Sequence, residues 1–259
     1  MQIKNIEENF FAVSRYWGSL NKSIRNFGST WAMNTGVNIS DINWVWNEEP
    51  LNSNDISDIE FIKELYQKIN LRFWWWVYPC GQSVETTHIL QNAGLRLITS
   101  VPCMAANLIN FYSEPSISEN LKVSQVKNKN DLFLWRETSF DGFEMHQRAR
   151  KQYGDFVASL DIQPSSKQKI FLAYLKGVPV ATSLLFTHEN TAGIYYVSTL
   201  PAFRNKGFGL EITKAAMRAA KEAGFQEIIL QATPLGATVY QRAGFKEYCR
   251  ADIYILPRS

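Results

Sequence analysis

The sequence predicts an α/β (α+β) protein of two domains, each a mixed sheet with helices on its faces. Three observations carry this. The chain has 259 residues, more than the roughly 100–200 of a typical single domain. From residue 121 onward, apolar runs and helical patterns alternate in the order β-α-α-β-β-β-α-β-α-β, which suits a mixed sheet between helices. A short stretch of the first half also repeats in the second. The polar segment FYSEPSISEN, residues 111 to 120, carries Pro115 between two strongly patterned regions, so the boundary is expected there, giving domains 1–115 and 121–259.

The second half is the more regular. LKVSQVK (121 to 127) alternates like a strand, NDLFLWRETSFDGF reads as a helix that Asn130 can cap, and HQRARKQYGDFVASL is a second helical candidate. KIFLAYL and VPVATSLLFT are apolar runs separated by Lys176-Gly177, a two-residue turn that predicts a β-hairpin. TAGIYYVSTL follows as a third strand. Residues 207 to 223 place Phe208, Ile212, Ala215, Ala216, Ala219 and Ala223 on one helical face, with Gly224 as the stop. EIILQA is a buried-type strand, ATVYQRAG a short helix ended by Gly244, and FKEYCRADIYIL strand-like again.

In the first half, HILQNAGLR (88 to 96) aligns with TVYQRAGFK (238 to 246), matching Gln91 to Gln241, Ala93 to Ala243 and Gly94 to Gly244. Upstream, Tyr78-Pro79-Cys80-Gly81 parallels Thr233-Pro234-Leu235-Gly236, each after an apolar strand. An internal duplication is the inference; a chance match of two glycine-stopped helices is the alternative. The run Phe73-Trp74-Trp75-Trp76-Val77-Tyr78 could be an aromatic ligand platform, but a continuous apolar run fits a strand buried on both faces better.

Composition excludes several classes. Apolar residues make up 46% of the chain and no low-complexity tract interrupts them, so a globular fold is expected rather than disorder. The net charge of +3 is spread among interleaved acids and bases, which argues against a nucleic-acid surface. No apolar stretch is long enough for a membrane helix, and MQIKNIEENFF lacks a leader's basic segment and apolar run, so a cytoplasmic protein off the membrane is expected. Cys80, Cys103 and Cys249 are odd in number and widely spaced, as reduced thiols would be. His88, His146 and His188 lack paired metal-ligand spacing, so no metal is expected.

The stretch with chemical content is VSTLPAFRNKGFG, residues 197 to 209, a strand entering a loop whose glycines open a helix. The first N–H groups of a helix have no internal partner and the peptide dipoles are positive there, so main chain alone can hold an anion. Gly207 and Gly209 carry no side chain to block phosphate oxygens, and Arg204 and Lys206 add positive charge. A lone Gly-x-Gly before a helix is usually a tight turn. Here it sits with Pro201 and Arg204 at three-residue intervals, an apolar strand upstream and a long amphipathic helix downstream.

That combination resembles the GNAT superfamily, the GCN5-related N-acetyltransferases, whose acetyl-CoA loop reads Arg or Gln, x, x, Gly, x, Gly or Ala. The loop here is Arg204-Asn205-Lys206-Gly207-Phe208-Gly209. The similarity extends over about residues 121 to 256, through IILQATPLGATVYQRAGF. It implies two GNAT-like domains with mostly antiparallel sheets, the first degenerate, and an N-acyltransferase using acetyl-CoA as cosubstrate. Val197, Ser198 and Thr199 would run along pantetheine, with the main chain of Val197 and Thr199 pairing to its amides. The 204 to 209 loop would hold the pyrophosphate, and Thr233 would border the same cofactor. Tyr240 matches the family tyrosine that protonates the departing thiolate. A phenol with reference pKa near 10 can donate to a sulfur of roughly 8.5; the competing role for Tyr240 is a packing aromatic.

The position matching Tyr240 in the first half is Leu90, and DINWVWNEEPLNSNDISDIEF supplies no Arg-x-x-Gly-x-Gly while its acids would repel a pyrophosphate. One acyl-CoA site per chain is therefore expected. The acceptor would be a small-molecule or peptide amine. Asp141, Glu144 and His146 in FDGFEMH border the acceptor side by the resemblance, though each also suits an ordinary surface position, and the base stays open. Two other classes fit the architecture: a non-catalytic acyl-CoA-binding module, and an aminoacyl-tRNA-dependent peptidyltransferase, which would not need the intact RNKGFG loop.

Overall fold

Ile6, Phe10, Val13 and Trp17 are spaced four, three and four residues apart, the repeat of one helical face. All four are buried under the opening helix, α1 (Gln2–Leu20). The structure, a computed structural model, describes residues 2–112, 120–234 and 236–257. After α1 come β1 (Arg25–Phe27), β2 (Thr30–Met33), β3 (Trp44–Asn47), α2 (Ile56–Lys68), β4 (Trp74–Val77), α3 (Val84–Asn92) and β5 (Arg96–Asn107). The second half contains β6 (Leu121–Gln125), α4 (Lys129–Gly142), α5 (Arg150–Ala158), β7 (Gln168–Leu175), β8 (Val178–His188) and β9 (Thr191–Thr199). It closes with α6 (Phe208–Glu222), β10 (Glu227–Gln231), α7 (Ala237–Arg242) and β11 (Lys246–Ile255).

The second-half order is the expected one, with local corrections. Asn128, not Asn130, caps α4: its Oδ1 accepts from Asp131 N at 2.9 Å and its amide donates to the Asp131 carboxylate at 2.9 Å. The next helical candidate begins with a 3-10 turn, Gln147–Ala149, before α5. Lys176 (φ 50°) and Gly177 (φ 83°) adopt the left-handed pair that joins β7 to β8 as a tight hairpin. In α6, Phe208, Ile212, Ala215 and Ala216 face the core with Met217 and Ala220, whereas Ala223 lies exposed at the C-cap.

All eleven described strands form one sheet, in the order β1-β2-β3-β4-β11-β5-β10-β9-β8-β7-β6. The two halves exchange their last strands. β5, from the first half, pairs antiparallel with β10 (Ile229 opposite Ala105), and β11, from the second, pairs antiparallel with β4 (Ile253 opposite Trp76). β5 and β11 then pair with each other along most of their length. Cys103 and Cys249 stand opposite one another there as free thiols. The expected boundary at 111 to 120 falls mostly on 113–119, outside the described residues.

The repeated segments share hydrogen bonds at matching positions. Gly81 N donates to Tyr78 O at 2.8 Å and Gly236 N to Thr233 O at 2.9 Å; Leu95 N donates to Leu90 O and Phe245 N to Tyr240 O; Gly94 and Gly244 both take positive φ. Leu235 lies outside the described residues.

Packing also departs from two self-contained cores. One cluster lies under α6 and α7 and another under α2 and α3, each with side chains from the exchanged strand. A third joins Phe10, Phe11 and Trp17 of α1 to Trp44, Trp46, Trp76 and Tyr78 of the first half and Trp135, Phe140, Tyr153 and Phe156 of the second. Of the aromatic run, Phe73, Trp75, Trp76 and Tyr78 are buried, the core role rather than a platform. Trp17 Nε1 donates to Gln168 at 2.9 Å and Asn9 bridges Tyr195 Oη and Thr191 O, so α1 is bonded as well as packed to the far half.

Candidate active site

Adjacent parallel strands normally stay hydrogen-bonded along their length. β9 and β10 do so only where Thr191, Ala192 and Gly193 oppose Glu227, Ile228 and Ile229. Beyond Gly193, β9 stays with β8, while Leu230 and Gln231 of β10 stay with Met104 and Cys103 of β5. The sheet therefore splits into a V, with an unpaired strand edge on each wall.

A β-bulge shapes the β9 wall. Thr182 opposes Ser198 and Leu184 opposes Tyr195, so Tyr196 and Val197 together face the single residue Ser183. Tyr196 takes φ 52°, a conformation that bulky residues rarely adopt. Thr182 Oγ1 holds it there, donating to Tyr196 O at 2.9 Å and lying 2.7 Å from Ser198 Oγ. Val197 and Thr199 are partly buried on the splayed segment, and Ser198 is buried with its hydroxyl turned to Thr182. Gly142, at the end of α4, lets that helix approach: a Cβ there would meet Ser198 Oγ at 2.5 Å.

The loop after β9 closes the mouth of the V. Pro201–Phe203 form a 3-10 turn, Asn205 takes φ 61°, and Gly207 takes φ 83° at the N-cap of α6, a position that glycine occupies without strain. The free N–H groups of the first turn of α6 face the loop. Arg204 is exposed but tethered: Nε donates to Thr199 O at 3.2 Å, Nη2 to Gly142 O at 2.8 Å, and Nη1 pairs with Glu144 at 2.7 Å. Lys206 is likewise turned inward, donating to Ala202 O at 3.1 Å and lying over the Phe203 ring. The side chains of Arg204 and Lys206 therefore brace the loop around Gly207, Phe208 and Gly209. The Phe208 side chain is buried in the core.

Tyr240 stands on the opposite wall. β10 ends in an exposed turn at Thr233, whose carbonyl accepts from Gly236 and Ala237 to start α7. Tyr240 is 9% exposed, packed edge-on against Phe245, and burial pushes its phenol well above the usual value. Val197, Ser198 and Thr199 thus line the β9 wall and the 204 to 209 loop follows it, while Thr233 and Tyr240 follow the β10 wall. The V does not bring in Asp141, Glu144 or His146 as free bases. Asp141 pairs with Arg150, Glu144 with Arg204, and His146 Nδ1 accepts from Arg148 N. The bulge, Thr182 and Gly142 were not singled out by sequence; Gly142 in FDGF was the one available signal.

The corresponding place in the first half is closed. β3 and β4 pair at all four positions, from Trp44 opposite Trp74 to Asn47 opposite Val77. The Asn47 side chain then stitches the end, donating to Gly81 O and Glu49 O and accepting from Trp75 Nε1. Leu90, the counterpart of Tyr240, is fully buried. A cavity of about 260 Å³ does open beside α2, lined by Asn38, Lys63, Tyr66, Arg72 and Phe73 among others. It lies on the half with the closed strands and holds none of the groups described above. Among the described residues no cluster of three or more His, Cys, Asp or Glu could hold a metal, and no helix is long and apolar enough to cross a membrane.

A strand pair splayed around a bulge, followed by a glycine loop that feeds a helix, is thus the geometry of the second half. Residues 130–245 match the acetyltransferase (GNAT) family. The C-terminal half is a GNAT domain. A GCN5-related N-acetyltransferase from Kribbella flavida superimposes over 97% of this chain and 96% of its own, with a TM-score of 0.73 at 17% identity. Another from Sphaerobacter thermophilus aligns over 88% of this chain and 76% of its own, TM-score 0.65 at 15% identity. A tandem GNAT protein from the clavulanic acid biosynthesis pathway covers 91% of this chain and 82% of its own, TM-score 0.58 at 12% identity. At such identities the likeness is one of fold, and it spans both halves. No curated protein matches the chain.

Proposed function

We propose that the chain is an N-acyltransferase that takes an acetyl group from acetyl-CoA and passes it directly to a primary amine. The observation that carries this is the V between β9 and β10, with the RNKGFG loop at its mouth and Tyr240 on its far wall. Pantetheine would lie along Val197–Thr199 as an added strand, and the pyrophosphate would rest on the N–H groups of Gly207, Phe208 and Gly209. The first half, with its paired β3 and β4, would act as a degenerate GNAT-like domain that walls the acceptor side.

In the transfer, the amine nitrogen bonds to the thioester carbon, the carbon–sulfur bond breaks, and the sulfur leaves as thiolate. Tyr240 donates its hydroxyl proton to that sulfur, the amine gives up a proton to solvent, and solvent returns a proton to the Tyr240 phenolate to close the cycle. Burial raises the Tyr240 phenol, and the same exclusion of water raises the thiol formed beside it, so their relative acidity changes less than either value. With purified protein, acetyl-CoA and a panel of primary amines, release of CoA thiol is the test. Tyr240→Phe should lower kcat by about 10²-fold or more with acetyl-CoA affinity retained. A variant that turns over at the wild-type rate removes the role of Tyr240; tight acetyl-CoA binding without turnover on any amine would favour the binding module.

A further inference from the structure

β9 runs parallel to β10; β10, β5, β11 and β4 each reverse direction in turn, and β3 is parallel to β4. β3 therefore runs opposite to β9, so the loop entering β3 lies at the sheet end where β9 splays. The two places share a face as well. Trp17 of α1 packs on Trp44, at the start of β3, at 5.4 Å between ring centroids, and on Tyr196, in the bulge, at 5.5 Å.

That loop, residues 34 to 43, is pre-organised by one buried side chain. Asn43 Nδ2 donates to Val37 O (2.7 Å), Ile39 O (2.9 Å) and Arg72 O (2.7 Å), and its Oδ1 accepts from Thr35 N (2.8 Å) and Oγ1 (2.9 Å). Trp44 Nε1 then donates to Asp41 O at 2.8 Å. What this scaffold presents is the Asp41 side chain, carried on the 3-10 turn Ser40–Ile42 above buried Ile42. Asp41 is exposed by surface area yet surrounded by enough protein that desolvation raises its carboxyl above the usual range. It has no ion-pair partner among the described residues. Its charge reaches two phenols of the other half, Tyr153 of α5 and Tyr196 of the bulge. The Tyr196 ring is boxed by Trp17, Trp135, Phe143 and Phe156, and Phe143 is 39% exposed. The nearby carboxylates of Glu137, Asp141 and Glu144 are neutralised by arginines.

We infer that Asp41, supplied by the N-terminal half, is the specificity-determining carboxylate for the acceptor: it pairs with the ammonium of an incoming primary amine, before that nitrogen gives up its proton to solvent, and the amine's body is apolar, carries no carboxylate of its own and packs against Phe143. This rests on the acyltransfer proposed above. An unpaired, partly desolvated carboxylate beside aromatic faces suits such a cation and opposes an amino acid, whose own carboxylate would meet like charge.

Phenethylamine and phenylalanine differ only in that carboxylate and serve as probes, titrated calorimetrically into the protein with and without CoA. The wild type should bind phenethylamine at least tenfold more tightly than phenylalanine. Asp41→Asn should abolish the difference, and Asp41→Glu should restore most of it, both with acetyl-CoA binding unchanged. Where transfer is measured, the Asn variant should raise the amine KM at least tenfold and leave kcat within threefold. The assignment is overturned if the wild type does not discriminate, binds neither probe, or is matched by Asp41→Asn. Failure of the wild type to bind acetyl-CoA is a separate result that removes the donor-site proposal, since the amine titrations on free protein stand without it.

Discussion

A methyl group at Gly236 would lie 2.8 Å from Cε2 of Tyr240, nearer than non-bonded carbons pack, so the bare α-carbon at 236 helps fix where the phenol points. Gly236 has an ordinary φ of −85°, and alanine there introduces no backbone strain. Gly236→Ala should therefore displace the ring rather than unfold α7. We expect kcat to fall by about tenfold, because a displaced general acid loses alignment with its proton acceptor, with acetyl-CoA affinity close to wild type. Equal loss of affinity and rate would instead mean that the α7 turn itself holds the cofactor. Gly207, Gly209 and Tyr240 were legible as a local motif, because what they do depends on a few neighbours in sequence. Asp41 was not, since its setting is made by Asn43, Trp17 and Tyr196, which no spacing rule connects.

At the scale of elements, the loop between β9 and α6 is braced against α4 by Arg204, whose guanidinium reaches Thr199 O, Gly142 O and Glu144 at once. Its charge was the expected contribution to pyrophosphate binding, and its contacts also set the loop's conformation. Arg204→Ala should weaken acetyl-CoA binding about tenfold by loosening the main-chain cradle, with little change in the thermal midpoint because the side chain is exposed. Arg204→Lys should fail to rescue, as one ammonium cannot span three acceptors. Loss restored by lysine would assign Arg204 a direct charge role. The α6 helix, the Lys176-Gly177 hairpin and the order of elements along the second half followed from periodicity and turn residues. The bulge did not, because Tyr195-Tyr196 reads as ordinary strand and only the two-against-one pairing with Ser183 creates it. The sequence reading did not single out α1: its repeat of Ile6, Phe10, Val13 and Trp17 is local, but its role in joining the halves is visible only in three dimensions.

For the whole molecule, the strand exchange and the aromatic cluster under α1 make the two halves one structural unit. Both depend on pairings more than a hundred residues apart in sequence, such as Ile229 with Ala105, which local patterns do not encode. Burial across all three cores also has a titration consequence. Tyr66, Tyr78, Tyr153, Tyr195, Tyr196 and Tyr240 all have phenols raised by burial. In the unfolded chain they ionise near 10, so above that pH the native state binds more protons and stability falls as pH rises. Each contributes about 1.4 kcal/mol per pH unit in that window, so together the six are comparable to a typical total stability of about 5–15 kcal/mol. Urea midpoints should be unaffected by these groups up to pH 9 and collapse between pH 10 and 11. Equal midpoints at pH 9 and 11 would contradict the burial of these phenols. The central claim concerns the cleft, and the most direct measurement is calorimetric titration of acetyl-CoA into the wild type and into Gly207→Glu, with circular dichroism to verify that both are folded. One acetyl-CoA per chain, lost in a folded Gly207→Glu whose side chain fills and charges the phosphate cradle, is the predicted result. No binding to the wild type, or undiminished binding to the variant, would contradict it.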